Sequence, residues 1–310
     1  MRQDFLNENL KRNRETAGLK DSYQNHREQV MKLIEASVRD LTETADEKCS
    51  SIILLGAGNC LDVDLKTLAE RIDKIHLVDL DAAAVTAAVE RAGIADQCEI
   101  VAPADIAEPL LSLTTRDFRA DADNREHSLK VLQALTSEDG VPDVPPADIV
   151  VSLCTFSQIV HTFGSLVAAE EQMFGHGVKA LRMGHLRRLL SMVRPGGVAV
   201  FVSDVVSSDT SEELKTATIE TTPALVRNLV NDGNFFSGTN PALMLADLNL
   251  LTRLPGGPES VHTIDPWPWH LGERSYAVYA FRIQKSLPVE ESAEESSEDG
   301  EPGDSEVPAE

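Results

Sequence analysis

The 310-residue chain is long enough to bury one substantial core, and its 42% hydrophobic and 25% charged residues are ordinary for a globular protein. A net charge of −23 argues against a nucleic-acid phosphate backbone as the main partner, because such binding relies on clustered Lys and Arg. No apolar run approaches the ~20 residues that span a bilayer, and the polar start Met1-Arg2-Gln3-Asp4 has no signal-peptide segment behind it, so a cytoplasmic protein without a membrane partner is expected.

Taken in order, residues 1–48 read as a helical cap, with Val30, Leu33, Ile34, Val38 and Leu41 at helical spacing. An α/β domain is expected over 49–285. Its first strand is the apolar run at 51–55, a pattern suited to a strand covered on both faces. Leu61, Leu65, Leu68 and Ile72 follow at helical spacing, and 74–78 is a second strand. Asp81 is a good N-cap for an alanine-rich helix that ends at Gly93, and 98–101 is a third strand. A helix around 127–135 and a Pro-rich approach at 141–146 lead to a fourth strand at 148–153. Helical sequence then runs over 157–193, with a break expected near Gly175 and Gly177. Arg194-Pro195-Gly196-Gly197 turns into a fifth strand at 198–203, a helix is expected at 223–230, and strands at 260–264 and 275–283 close the domain.

The tail from 286 to 310 holds ten acids and no base, so the rest of the chain is at −13 rather than −23. With almost no apolar content the tail cannot offset its ordering entropy and is expected to be disordered. Cys49, Cys60, Cys98 and Cys154 form no C-x-x-C pair, which fits a reduced setting with no metal site. Strands alternating with helices imply right-handed crossovers. The expected fold is therefore α/β: a doubly wound, mostly parallel seven-stranded sheet with an antiparallel C-terminal edge strand and an N-terminal helical cap.

In such a sheet, ligands sit outside the carboxyl ends of the strands. The first strand ends in Gly56-Ala57-Gly58, where glycines permit φ > 0 and a close approach to the backbone. The second ends in Asp79, 23 residues after Gly56, an acid able to accept from both hydroxyls of a ribose. The third is followed by Asp105-Ile106, positioned to meet an adenine edge, and the fourth ends in Ser152-Leu153-Cys154. Each piece has a bland reading: Asp79 as a neighbour of the capping Asp81, Asp105 as a turn residue. Their succession, one at each strand end, is the specific signal.

With these residues in place, the chain resembles the class I S-adenosylmethionine-dependent methyltransferases over about residues 50–285. The resemblance is carried by Ile53-Leu54-Leu55-Gly56-Ala57-Gly58, Leu77-Val78-Asp79-Leu80-Asp81, Ala104-Asp105, Asp148-Ile149-Val150-Val151-Ser152 and Val193-Arg194-Pro195-Gly196-Gly197-Val198. It implies a Rossmann-like fold and S-adenosylmethionine as cofactor. Gly56 and Gly58 would pack under the methionine part, Asp79 would hold the ribose, Asp105 and Ile106 would frame the adenine, and Ser152 would complete the cofactor set. Two positions depart from the family pattern: Leu54, where an acid is frequent, and Cys60, where a third glycine is frequent. The competing dinucleotide-binding fingerprint needs a glycine three residues after Gly58, and Leu61 stands there.

On the acceptor side, Cys154, Ser157, Gln158 and His161 follow the fourth strand and Asp204 follows the fifth. His161 is the candidate general base, since its side chain titrates near neutrality; the competing reading is a surface histidine. Trp267, Trp269 and His270, expected between the last two strands, and the segment 234–241 are candidates for a pocket wall and a lid. The acids Asp62 and Asp64 read as helix-terminus residues ahead of any ligand role. The expected activity is methyl transfer to a small-molecule acceptor. The alternatives are a catalytically silent cofactor-binding or interaction module, and an aminopropyl-type transferase on the same fold.

Overall fold

The computed structural model describes residues 3–44, 46–118, 125–169 and 171–288. The acidic tail beyond residue 288 lies outside the described residues. Seven strands form one sheet: β1 (Cys49–Leu55), β2 (Ile72–Val78), β3 (Cys98–Val101), β4 (Ala147–Leu153), β5 (Val193–Ser207), β6 (Pro258–Leu271) and β7 (Arg274–Lys285). Their order is β3-β2-β1-β4-β5-β7-β6. The first five pair in parallel, and β7 runs antiparallel between β5 and β6. This is a doubly wound, Rossmann-like α/β sheet with an antiparallel C-terminal edge.

The apolar runs explain the central position of β1 and β4. Ile52 and Leu54 face one core layer while Ile53 and Leu55 face the other, and all seven residues of β4 are buried. On the first face lie α2 (Gln24–Leu41), α3 (Leu65–Arg71) and α4 (Ala82–Ala92), through Val30, Ile34, Val38, Leu68 and Val85. On the second lie the short α5 (Glu108–Leu111), α6 (Arg125–Thr136), α7 (Thr155–Gly164), α8 (Gln172–Ser191), α9 (Thr222–Asn231) and α10 (Pro241–Leu251). The first helix, α1 (Gln3–Thr16), lies at the carboxyl ends of the strands. No helix among the described residues is long and apolar enough to cross a membrane.

Capping chemistry sets several boundaries as expected. The Asp81 side chain accepts from the Ala84 amide, and Gly93 adopts a left-handed φ of 69° after α4. Asp64 caps α3 by accepting from the Lys66 and Thr67 amides. Asp148, at the other end of the sheet, accepts from the Ser50 and Ser51 amides and pairs with Arg194. It therefore fixes the entry to β1, β4 and β5.

Three expectations require correction. Helical spacing does not continue to Ile72, which is already extended and opens β2. The helical stretch after β4 is broken before Gln172, not at Gly175 and Gly177, which lie inside α8. Gly177 serves packing: a Cβ there would come within 2.1 Å of the Phe163 ring. Gly184 likewise lets α8 approach the Leu135 carbonyl of α6. The last two strands are longer than their apolar cores, so Trp267, Trp269 and His270 belong to β6 instead of a connection. Pro241 starts α10 behind an Asn240 cap, with a short loop ahead of it.

Candidate functional site

Two adjoining depressions lie at the carboxyl ends of the strands. The first is a recess of about 80 Å³ floored by the β1 turn, Asp79, Ala104, Asp105 and Ile106. The second is a cleft of about 860 Å³ beside α7, β5 and β6. Asn9, Asn13 and Gln158 belong to both walls.

The recess is built from the strand ends upward. Gly56 and Ala57 amides donate to the Val78 carbonyl at 2.9 and 3.2 Å, which ties the β1 turn to β2. Gly58 donates to Asp79 Oδ2 at 2.8 Å, and the Asp81 amide donates to Asp79 Oδ1 at 2.8 Å. Both oxygens of Asp79 thus hold the turn. Burial raises the Asp79 carboxyl above its ordinary range, and the Asp81, Gly58 and Leu80 amides oppose that rise. Asp105 Oδ1 accepts from the Ala107 amide at 2.8 Å, which fixes the loop after β3.

The turn needs left-handed backbone at three positions: Gly56 (φ 73°), Gly58 (φ 47°) and Cys60 (φ 51°). A non-glycine residue in that region is uncommon, so Cys60 holds the conformation for which a third glycine would be the unstrained choice. The close approaches at the glycines are made by the protein itself. A Cβ on Gly56 would meet Thr155 Oγ1 at 2.3 Å, and one on Gly58 would meet Asn13 Oδ1 at 3.0 Å. Asn13 also donates to Asp81 Oδ2 at 3.1 Å, and Asn59 donates to the Asn13 carbonyl at 2.6 Å. Helix α1 is thereby fastened over the turn.

Gly56, Gly58, Asp79, Asp105 and Ile106 come together in this recess. Ser152 does not. It is fully buried, and its Oγ lies 2.9 Å from Nε2 of His185, itself buried between the Phe156 and Phe201 rings. Burial, with the Arg188 charge nearby, lowers the His185 pKa to about 3, so this pair is a neutral strut beneath the strand ends.

The cleft gathers the acceptor-side candidates. Cys154, Ser157, Gln158, His161 and Asp204 line it. His161 stands at the rim with its side chain 65% exposed and Nε2 3.4 Å from Glu8 Oε1 of α1. Burial raises the Cys154 thiol well above its ordinary value, which makes it an inert wall residue rather than a nucleophile. Trp269 lines the cleft, whereas Trp267 is buried behind it and donates to His26 Nδ1 at 3.2 Å. His270 pairs with Ser275 Oγ at 2.9 Å and is not part of the wall. Phe236 and Ser237 close one side; their loop is pinned by the Phe236 amide to the Val205 carbonyl at 2.7 Å.

Sequence reasoning missed the α1 residues Asn9 and Asn13, and Thr155 after β4. Their signal was weak but present: Asn9 and Asn13 are four residues apart and so share one helix face.

No family model matches the chain, and no curated protein matches its sequence. Solved structures do match. One is the N-methyltransferase NodS from Bradyrhizobium japonicum WM9 in complex with S-adenosyl-L-homocysteine, at 13% identity over 83% of this chain and 86% of that one, TM-score 0.40. Another is the O-methyltransferase TomG from Streptomyces achromogenes in complex with SAM, at 14% identity, 86% and 88% coverage and TM-score 0.39. A third is the O-methyltransferase from Bacillus cereus in complex with SAH, at 14% identity, 92% of each chain covered and TM-score 0.40.

Proposed function

We propose that the chain is an S-adenosylmethionine-dependent methyltransferase that acts on a small-molecule acceptor. The observation that carries this reading is the recess itself: Asp79, the Gly56-Gly58 turn and the Asp105-Ile106 loop share one hollow that opens beside a larger cleft.

The donor set fits an adenosyl amino acid. Asp79 suits two neighbouring hydroxyls, Asp105 and Ile106 offer one polar and one apolar contact to a base, and the turn presents bare backbone. The volume fits only if α1 gives way. Small-molecule sites run to roughly 300–1,000 Å³, and the recess holds about 80 Å³ with Asn13 seated against Gly58. Binding therefore lifts α1 from the turn and joins recess to cleft.

When bound, S-adenosylmethionine supplies a methyl group already activated by its sulfonium. The task left to the protein is alignment and exclusion of water. Gln158 and Asn13, shared by both walls, stand where donor and acceptor sides meet. Asp204, Trp269 and Tyr276 hold the acceptor, and His161 at the rim carries a proton between cleft and solvent.

Calorimetry on the full chain tests the reading. S-adenosylmethionine and S-adenosylhomocysteine are expected to bind in the micromolar range and NADH not at all. Saturable NADH binding, or no binding of either sulfur compound, would overturn it.

A further inference from the structure

The charges around the cleft are unequally satisfied. Arg12 pairs with Glu8 at 2.8 Å, Glu15 with Lys11 at 3.7 Å, and Arg274 with Asp209. Asp204, at the end of β5, makes no ion pair among the described residues, and its Oδ1 is buried without a hydrogen-bond partner there. Burial raises its carboxyl above the ordinary range, with the Ser157 hydroxyl pulling the other way. A buried carboxylate oxygen without a partner is costly, so a donor that enters the cleft gains by meeting Asp204.

The walls around it are aromatic. Trp269 stacks on His26 at 4.5 Å, meets Tyr23 edge-on at 5.0 Å, and lies 5.4 Å from Tyr276. Tyr23, Trp269 and Tyr276 all line the cleft, with Phe174 and Phe236 on other sides. A ring face attracts a cation; the Arg274 guanidinium already stands 5.1 Å over the Tyr276 ring on this wall, so the cation site left to a ligand is the Asp204 side of the cleft, edged by Trp269. A neutral hydroxyl would satisfy one oxygen but would gain little from the rings. An anion would meet Asp204 unfavourably.

We infer that the cleft recognises a cationic amine with an apolar or aromatic body, its ammonium seated at Asp204 and its body against the aromatic wall that includes Trp269. This rests on the methyltransferase reading for its consequence, since it names the acceptor class, but the ammonium site stands on the cleft's own geometry.

The probe set is 2-phenylethylamine, 2-phenylethanol and 3-phenylpropanoate, titrated into the full chain with tryptophan fluorescence as readout. The amine is expected to bind at least about tenfold more tightly than the alcohol, as befits a desolvated charge pair over a neutral hydrogen bond, and the carboxylate not at all. D204N is expected to bring amine and alcohol within about threefold of each other, while S-adenosylhomocysteine binding by calorimetry is unchanged. An alcohol or carboxylate that binds as well as the amine, or no saturable amine binding, overturns the inference. If D204N fails to fold, the comparison of the three probes on the native chain still decides. Amine preference without S-adenosylhomocysteine binding would sink the methyltransferase reading alone; the reverse result would sink the ammonium site alone.

Discussion

In the recess, the polar floor is made of turn amides, Asp79 and Asp105, all supplied by three successive strand ends within about fifty residues of chain. In the cleft, the lining includes side chains from α1, α7, β5, β6 and β7, so that Arg12 and Tyr276 line the same hollow. The recess is a product of topology: any chain that winds this way brings β1, β2 and β3 to one edge, and only the turn residues need to be right. The cleft is a product of individual side chains placed on an already folded frame. The first kind of site tolerates little change in its acid and its glycines; the second is free to vary in what it accepts.

The largest expected effect breaks the recess and spares the cleft. Asp79→Ala removes the two hydrogen bonds proposed to the ribose and the acceptors that hold the Gly58 and Asp81 amides. Charge-assisted bonds contribute roughly 1.5–3 kcal/mol each, so S-adenosylhomocysteine affinity is expected to fall by more than about 100-fold. Affinity for 2-phenylethylamine in the cleft is expected to change less than about twofold, because Asp79 does not line the cleft. Equal losses in both titrations would show that the two depressions are one site.

The Ser152–His185 pair supports both regions from below, and its titration provides the next test. His185 is held near 3 in the fold against 6.5 in the unfolded chain. Above 6.5 neither state carries the proton, so the pair's full contribution is present. As pH falls below 6.5 the unfolded chain takes up a proton that the fold refuses, and stability is lost. The slope from this one group approaches about 1.4 kcal/mol per pH unit. Urea unfolding between pH 7.5 and 5 is expected to show that loss in the native chain and a flatter profile in His185→Gln. Parallel profiles would mean that His185 is protonated in the fold.

The contrast between the two regions also explains what could be read from the sequence. The strand order, the Asp81 and Gly93 caps and the recess floor follow from local patterns: apolar runs of strand length, capping residues, and acids at strand ends. Ser152 shared that pattern and still turned inward, because a strand end offers alternate residues to opposite faces and His185, 33 residues later, was there to receive it. The role of the glycines in α8 was hidden for a similar reason. Gly175 and Gly177 look like a break until Phe163 is known to press on the second of them. Trp269 and Asp204 are 65 residues apart and meet only because β7 separates β6 from β5 in the sheet. No local spacing encodes that meeting.

The smallest effect is expected at the rim. General bases enclosed in a site typically contribute about 10²–10⁴-fold, because nothing else can take the proton there. His161 is 65% exposed, and its partner Glu8 sits on α1, the helix that must shift for the recess to open. A side chain so exposed is open to water and buffer, so a proton that His161 is proposed to relay has other exits. His161→Gln is therefore expected to lower kcat by less than about tenfold with KM nearly unchanged, and added imidazole is expected to restore much of the loss. A fall beyond about 100-fold in kcat, unrescued by imidazole, would place the proton acceptor at the rim as an enclosed base. The cleft would then have to close further than the pinned Phe236 loop and the fastened α1 allow in this structure, and the division between a fixed recess and a variable cleft would have to be redrawn around His161.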